Sequence, residues 1–373
     1  MASRSCGASA SALVVLCSVL VLAPHAAAKK PLVPAIFVFG DSLLDVGNNN
    51  HLANCNISCQ ANYPRYGIDL PSHNNKPTGR FSNGYNLADQ LAQKLGFAES
   101  PPPFLSLSKS NASVFTGINF ASGGSGLLPT TGIQACGQVF PMSEQVGNFT
   151  SLVGRMYGIG DKLISESLIF ISAGSNDLFE YAEFAVAHPN TSRNDTEFLQ
   201  GLIASYTSYV KELYAAGAMK FSVLSPSLVG CCPYQMKVGE DSRDLDQYGC
   251  FRLGNTLSKQ LYPMIASMLQ ELSMELPGMS YSLGDAIVMG EFVFSYSNFT
   301  LNHACCGAGK FGESLCNSTV PLCQDRSSYF FWDRFHPTDA ASAITANELF
   351  SDASGNFVHP INVQQLVAPA PRP

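Results

Sequence analysis

The sequence predicts an α/β protein, a mainly parallel sheet with helices on both faces. Three observations carry that prediction. Short runs rich in β-branched and aromatic residues alternate with longer stretches of helical periodicity, as strands and crossover helices do. Small or turn-forming residues closely follow three of the strand candidates. The chain also has 373 residues at 46% hydrophobic and 13% charged, ample for a large buried core.

Taken in order, the first strand candidate is Ala35 to Phe39 (AIFVF), followed by Gly40 and a polar segment. Asn48 to Thr78 is turn-rich and reads as one long loop within a domain. Gly117 to Phe120, Ser167 to Ser172 (SLIFIS) and Lys220 to Leu224 (KFSVL) are further strands, with Met279 to Leu283 a weaker fifth. Between them Leu199, Leu202, Ile203, Tyr206, Val210 and Leu213 recur at helical spacing, and Gly217 stands where that helix should stop. Leu253, Leu257, Leu261, Ile265 and Leu269 repeat every four residues, with Pro263 expected to kink the helix. These stripes read as core. In a doubly wound sheet, ligands sit outside the carboxyl ends of the strands.

Residues 1–28 read as a secretory signal peptide. Arg4 gives a positive start, Ser11 to Ala23 is apolar, and Ala26-Ala27-Ala28 suits signal peptidase. The apolar run is too short to span a membrane, and stable membrane insertion is not expected. Residues 29–366 are expected to form a single domain, and 367–373 (VAPAPRP) a Pro-rich disordered tail. Ten cysteines follow the signal: Cys55, Cys59, Cys136, Cys231, Cys232, Cys250, Cys305, Cys306, Cys316 and Cys323. In an oxidising compartment an even count predicts disulfides; a zinc site is the weaker reading because no paired C-x-x-C occurs. All ten are expected to pair, the neighbours Cys231-Cys232 and Cys305-Cys306 each bonding elsewhere; Cys55 and Cys59 are the first candidates to stay unpaired. Sequons at Asn56, Asn111, Asn148, Asn190, Asn194, Asn298 and Asn317 place those segments at the surface if they are used. Lys plus Arg total 21 against 28 Asp plus Glu, without a basic run longer than two, so nucleic acid is not an expected partner.

The chemistry collects after the strands. Ser42 follows the first one, flanked by a Gly that permits a tight turn, and so suits an exposed nucleophile; an ordinary strand-to-helix cap is the bland alternative. Gly123-Gly124 follows the second strand and Gly174-Ser175-Asn176-Asp177 the third. For Asn176 the alternative role is an Asx turn. Near the other end, Asp333 lies three residues before His336, so its carboxylate can accept from Nδ1 and leave Nε2 free to take a serine proton. Read as metal ligands, this Asp and His lack a third partner nearby. No G-x-S-x-G occurs anywhere.

From about Pro34 to Asn362 the sequence resembles the plant GDSL esterase/lipase family of the SGNH hydrolases. The resemblance rests on six blocks in order: FVFGDSLLDVGNNN, PTGRFSNG, NFASGGSG, GSND, CCGAG and DRFHPTD. It implies a three-layer α/β/α fold of flavodoxin-like type with a flat, open site. It also implies a secreted serine esterase acting on acetyl or fatty acyl esters, without cofactor or metal. Carried over residue by residue, Ser42 is the nucleophile, Asp333 and His336 complete the triad, and the Ser42 amide, Gly123 and Asn176 are oxyanion donors, with Gly124 able to align in place of Gly123. The expected partner is an ester substrate: a cell-wall acetyl ester, a lipid or a small phenolic ester. The chain is expected to act as a monomer outside the cell, in the wall or in the Golgi lumen. An acyltransferase using the same triad is the alternative, because an acyl-enzyme partitions between water and any nearby alcohol. A catalytically silent glycoprotein is the third reading, and the intact set Ser42, Asn176, Asp333 and His336 counts against it.

Overall fold

A computed structural model describes residues 30–107, 116–156, 160–296 and 298–369. The signal-peptide segment and the Asn111 sequon lie outside them. Residues Pro31–Pro373 form one compact unit. Its centre is a sheet of six strands: β1 (Ile36–Gly40), β2 (Gly117–Asn119), β3 (Leu168–Ser172), β4 (Lys220–Leu224), β5 (Ser280–Gly284) and β6 (Val358–His359). The order is β2-β1-β3-β4-β5-β6, with the first five parallel and β6 antiparallel to β5. This is the expected three-layer α/β/α architecture.

Alternation within each strand builds both cores, because successive side chains point to opposite faces. Phe37, Phe39, Ile169, Ile171, Phe221 and Val223 face the larger core, filled by the Met142–Val153, Asp195–Ala215 and Arg252–Glu275 helices. Ile36, Val38, Leu168, Phe170 and Leu224 face the other, under the Leu87–Lys94 and Asp339–Ser351 helices. Both stripes read from the sequence pack into the larger core, with Ile203 and Leu253 half-buried at its margin. The second helix runs on through Pro263.

Strand order reverses between β1 and β3, so loops leaving their carboxyl ends diverge and open a crevice. Ser42 and Asn176 stand at those two ends. Gly40 makes the exit from β1 feasible. Its φ is +141°, and a Cβ there would lie 2.0 Å from the Ser172 carbonyl oxygen. The Gln145 side chain clamps the same residue, accepting its N–H and donating to its carbonyl, each at 2.9 Å.

Two expectations need correction. Four disulfides form, Cys59–Cys136, Cys231–Cys250, Cys305–Cys323 and Cys306–Cys316, while Cys55 and Cys232 are free. Full pairing therefore fails, and of the two first candidates to stay unpaired Cys55 is free while Cys59 is bridged to Cys136. Cys232 is buried in an apolar cluster with Ala304 and Phe331, whereas its neighbour Cys231 takes Cys250. The adjacent pairs do bond elsewhere. Second, Val367 is not part of a disordered tail: it closes the Val363–Val367 helix with its side chain buried.

Candidate active site

Ser42 emerges just past β1 and meets His336, whose Nε2 lies 2.8 Å from Ser42 Oγ. On its other side Nδ1 lies 2.8 and 2.9 Å from the two Asp333 oxygens. Asp333 Oδ1 also accepts the backbone N–H groups of Phe335 and His336, each at 2.9 Å, and Oδ2 accepts the Tyr66 hydroxyl at 2.6 Å. Burial pushes the Asp333 carboxyl up, but the imidazole and these donors outweigh it and leave the group below the usual carboxylate range. Burial beside that negative charge pushes the Tyr66 phenol well above its ordinary value, so it stays neutral and donates. The Phe81 ring packs against the imidazole, centroids 4.7 Å apart.

At the carboxyl end of β3, Asn176 opens the Ser175–Ala187 helix and lines the cavity at Ser42. One of its amide N–H groups goes to the Ser125 carbonyl at 2.9 Å, which fixes the side chain and leaves the other N–H of Nδ2. The Gly pair after β2 resolves as well. Gly123 N–H donates to the buried Asp45 carboxylate at 3.0 Å, whereas Gly124, not Gly123, lines the cavity. The N–H of Gly123 is thus engaged with Asp45, and Gly124 is the glycine of the pair that faces the cavity. Gly124 has φ +84°, and a Cβ on it would stand 2.5 Å from Cys136 Sγ, so the Cys59–Cys136 bridge is packed against this turn.

Sequence reasoning missed the residues that hold these loops. Asp45 accepts the N–H groups of Gly47 and Asn48, both at 2.7 Å, as well as that of Gly123. Asn48 Nδ2 donates to the carbonyls of Asn119 and Ala121, and Asn49 Nδ2 to that of Gly123. The GDSLLDVGNNN segment therefore supplies the serine and also a clamp for the turn after β2. Arg80 forms a buried two-pronged ion pair with Asp89 at 2.7 and 2.8 Å, anchoring the strap that carries Phe81. Asp45 and Asn49 lie inside a recognised block, the signal that could have pointed to them. Tyr66, in a polar loop, carried no signal.

Comparison with known proteins places this arrangement. Residues 36–349 match the family described as GDSL-like Lipase/Acylhydrolase. The chain belongs to that family. Similar relatives from Arabidopsis thaliana include GDSL esterase/lipase At5g55050, 35% identical over 90% of this chain and 90% of the relative. GDSL esterase/lipase At4g16230 is 34% identical over 95% and 98%, and GDSL esterase/lipase LTL1 is 33% identical over 88% and 89%. An extracellular lipase from Streptomyces rimosus aligns with 84% of this chain and 98% of its own at 15% identity, with a TM-score of 0.31, too low to support a conclusion about this chain.

Proposed function

We propose that this GDSL-family carboxylic ester hydrolase works through an acyl-enzyme on Ser42. The observation that carries the proposal is His336 held between Asp333 and Ser42 by 2.8 Å contacts on both ring nitrogens. In the first half-reaction Ser42 Oγ bonds to the acyl carbon while its proton passes to His336 Nε2, and Asp333 stabilises the resulting imidazolium. Negative charge on the carbonyl oxygen is met by the free N–H of Asn176 and by the backbone N–H groups of Ser42 and Gly124. Collapse breaks the bond to the alcohol, which leaves with the proton from Nε2. Water then attacks the acyl-enzyme by the same route and frees the acid.

Four disulfides and the N-terminal segment support delivery through the secretory pathway, with residues 1–28 removed, to the Golgi lumen, the wall or the medium. Among the described residues no helix is long and apolar enough to cross a membrane. An alcohol held near His336 would accept the acyl group in place of water, and product analysis with added glycerol separates transfer from hydrolysis. The central test is Ser42→Ala. It should abolish hydrolysis of a p-nitrophenyl ester and labelling by a fluorophosphonate, with the melting temperature nearly unchanged. Labelling retained at another serine would overturn the assignment.

A further inference from the structure

The cavity at Ser42 has a volume of about 330 Å³, far more than an acetyl group needs, and its two sides differ in chemistry. On one side stand Glu180 and Glu183 of the Ser175–Ala187 helix together with Arg334. The Arg334 guanidinium lies 5.5 Å from the Tyr234 ring and 5.1 Å from the Phe335 ring. The other side is a wall of Leu224, Leu228, Val229, Ala286, Met289 and Val293. Leu224, Ala286 and Met289 belong to the core beneath the Asp339–Ser351 helix, on the face of the sheet away from the larger core. Besides Asp41 and His336 at Ser42, the charged residues of the lining are Glu180, Glu183 and Arg334.

Sheet order gives the wall its length. Ser42 stands past the end of β1, Leu224 ends β4, and Ala286 opens the Ala286–Tyr296 helix two residues after β5. From β1 through β3 and β4 to β5 is three strand spacings, roughly 14 Å, the reach of a straight acyl chain of about eight to twelve carbons. The hydroxyl of Ser225, also in the lining, is engaged, accepting the Ala286 N–H at 3.1 Å. Gly290 lies in the wall too. A Cβ there would touch Leu228 Cδ1 at 3.4 Å, so glycine leaves open a space that any larger side chain fills.

We propose that this wall is an acyl-chain site, that the preferred substrates are esters of uncharged, straight-chain acids of about eight to twelve carbons, and that Met289, Gly290 and Val293 set the upper limit of chain length. The inference rests on the serine-hydrolase reading above. Burial of each methylene should raise kcat/KM by up to about fourfold, full burial being the limit, until the wall ends.

The experiment is a p-nitrophenyl ester series from acetate to palmitate, run beside fluorophosphonate labelling of Ser42. For the wild type, kcat/KM should peak at eight to twelve carbons, with decanoate favoured over acetate by about a hundredfold or more. Gly290→Phe should lower the decanoate-to-acetate ratio at least about tenfold and move the peak to shorter acids. Should that variant fail to fold, seen as lost labelling, Met289→Ala provides the opposite test, moving the peak to longer acids. A labelled wild-type enzyme that cleaves acetate as well as decanoate overturns the acyl-chain site alone, and so do folded variants that keep the wild-type peak. If Ser42 is not labelled and no ester is cleaved, the serine-hydrolase reading has failed and takes this inference with it.

Discussion

At the level of single residues, reactive and supporting groups differ in how they show in a sequence. Ser42, Asn176, Asp333 and His336 each sit in a short block directly after a strand or near the chain end, and the fold brings Ser42, Asn176 and His336 to one cavity with Asp333 buried behind the imidazole. The sequence separation of 294 from Ser42 to His336 is no obstacle to reading them, because each block carries its own local pattern. Tyr66 has no such pattern. Its hydroxyl reaches Asp333 only because the long loop folds back across 267 positions, and a tyrosine among turn residues looks like any other. The different settings of Gly123 and Gly124 are likewise tertiary, set by a bond from Gly123 to Asp45 that adjacent glycines in a sequence do not reveal. Asn176→Ala is the sharpest test at this scale. Losing one fixed donor to an oxyanion typically costs about 2.7 to 4 kcal/mol, a fall of roughly 100- to 1,000-fold in kcat. KM should change far less, since the donor matters most once the carbonyl oxygen carries charge. Near-normal turnover in a folded variant would reduce Asn176 to a turn residue that bonds Ser125.

Among the elements, β1 and β3 were the most legible because a strand covered on both faces is apolar almost throughout, whereas β5, Ser-Tyr-Ser-Leu-Gly with an exposed start, gave only a weaker signal. β6 was not legible: two residues, Val358 and His359, are too short for any periodicity and pair with β5 only through its edge. Cross-links fall between these extremes, since cysteine counts predict oxidation and say nothing of partners. Cys59 bridges to Cys136, tying the long loop to the turn after β2, and that leaves Cys55 single. The consequence is a thiol count. Unreduced protein in denaturant should show two reactive thiols by Ellman's reagent. In the folded state Cys232 should not react, being buried, and Cys55 should react slowly, because burial and the nearby Asp45 charge push its thiol up to about 11. Zero thiols in denaturant would mean that these two cysteines pair after all, and four would mean that one of the bridges is missing.

Across the whole molecule, the site concentrates buried carboxylates beyond the carboxyl ends of the central strands β1 and β3. Asp45 and Asp177 are fixed by backbone N–H groups, Asp177 accepting those of Leu127 and Leu128 and also the Thr131 hydroxyl. Asp41, beside the serine, has one oxygen on the Leu43 N–H, and its other oxygen is buried without a partner. Burial pushes Asp41 up to about 7, with Asp177 adding to the rise and the Leu43 N–H and His336 opposing it; burial likewise pushes Asp45 and Asp177 up to about 6. Such groups bind protons more tightly folded than unfolded, so the stability they contribute is full below the ordinary value of 3.8 and is lost as pH rises through 6 to 7. Asp333 runs the other way: its lowered value contributes stability that is present at neutral pH and lost on acidification. Stability should therefore be greatest in mildly acid solution and decline toward pH 8. Asp41→Asn keeps an acceptor for the Leu43 N–H and removes the ionisation, so its melting temperature should fall less between pH 5 and 8 than that of the wild type. Between pH 5 and 8 the difference corresponds to at most about 3 kcal/mol for a carboxyl moved from 3.8 to about 7. Parallel pH slopes for the two proteins, measured by calorimetry in matched buffers, would show that Asp41 is already ionised in the fold and that the decline originates at Asp45 or Asp177.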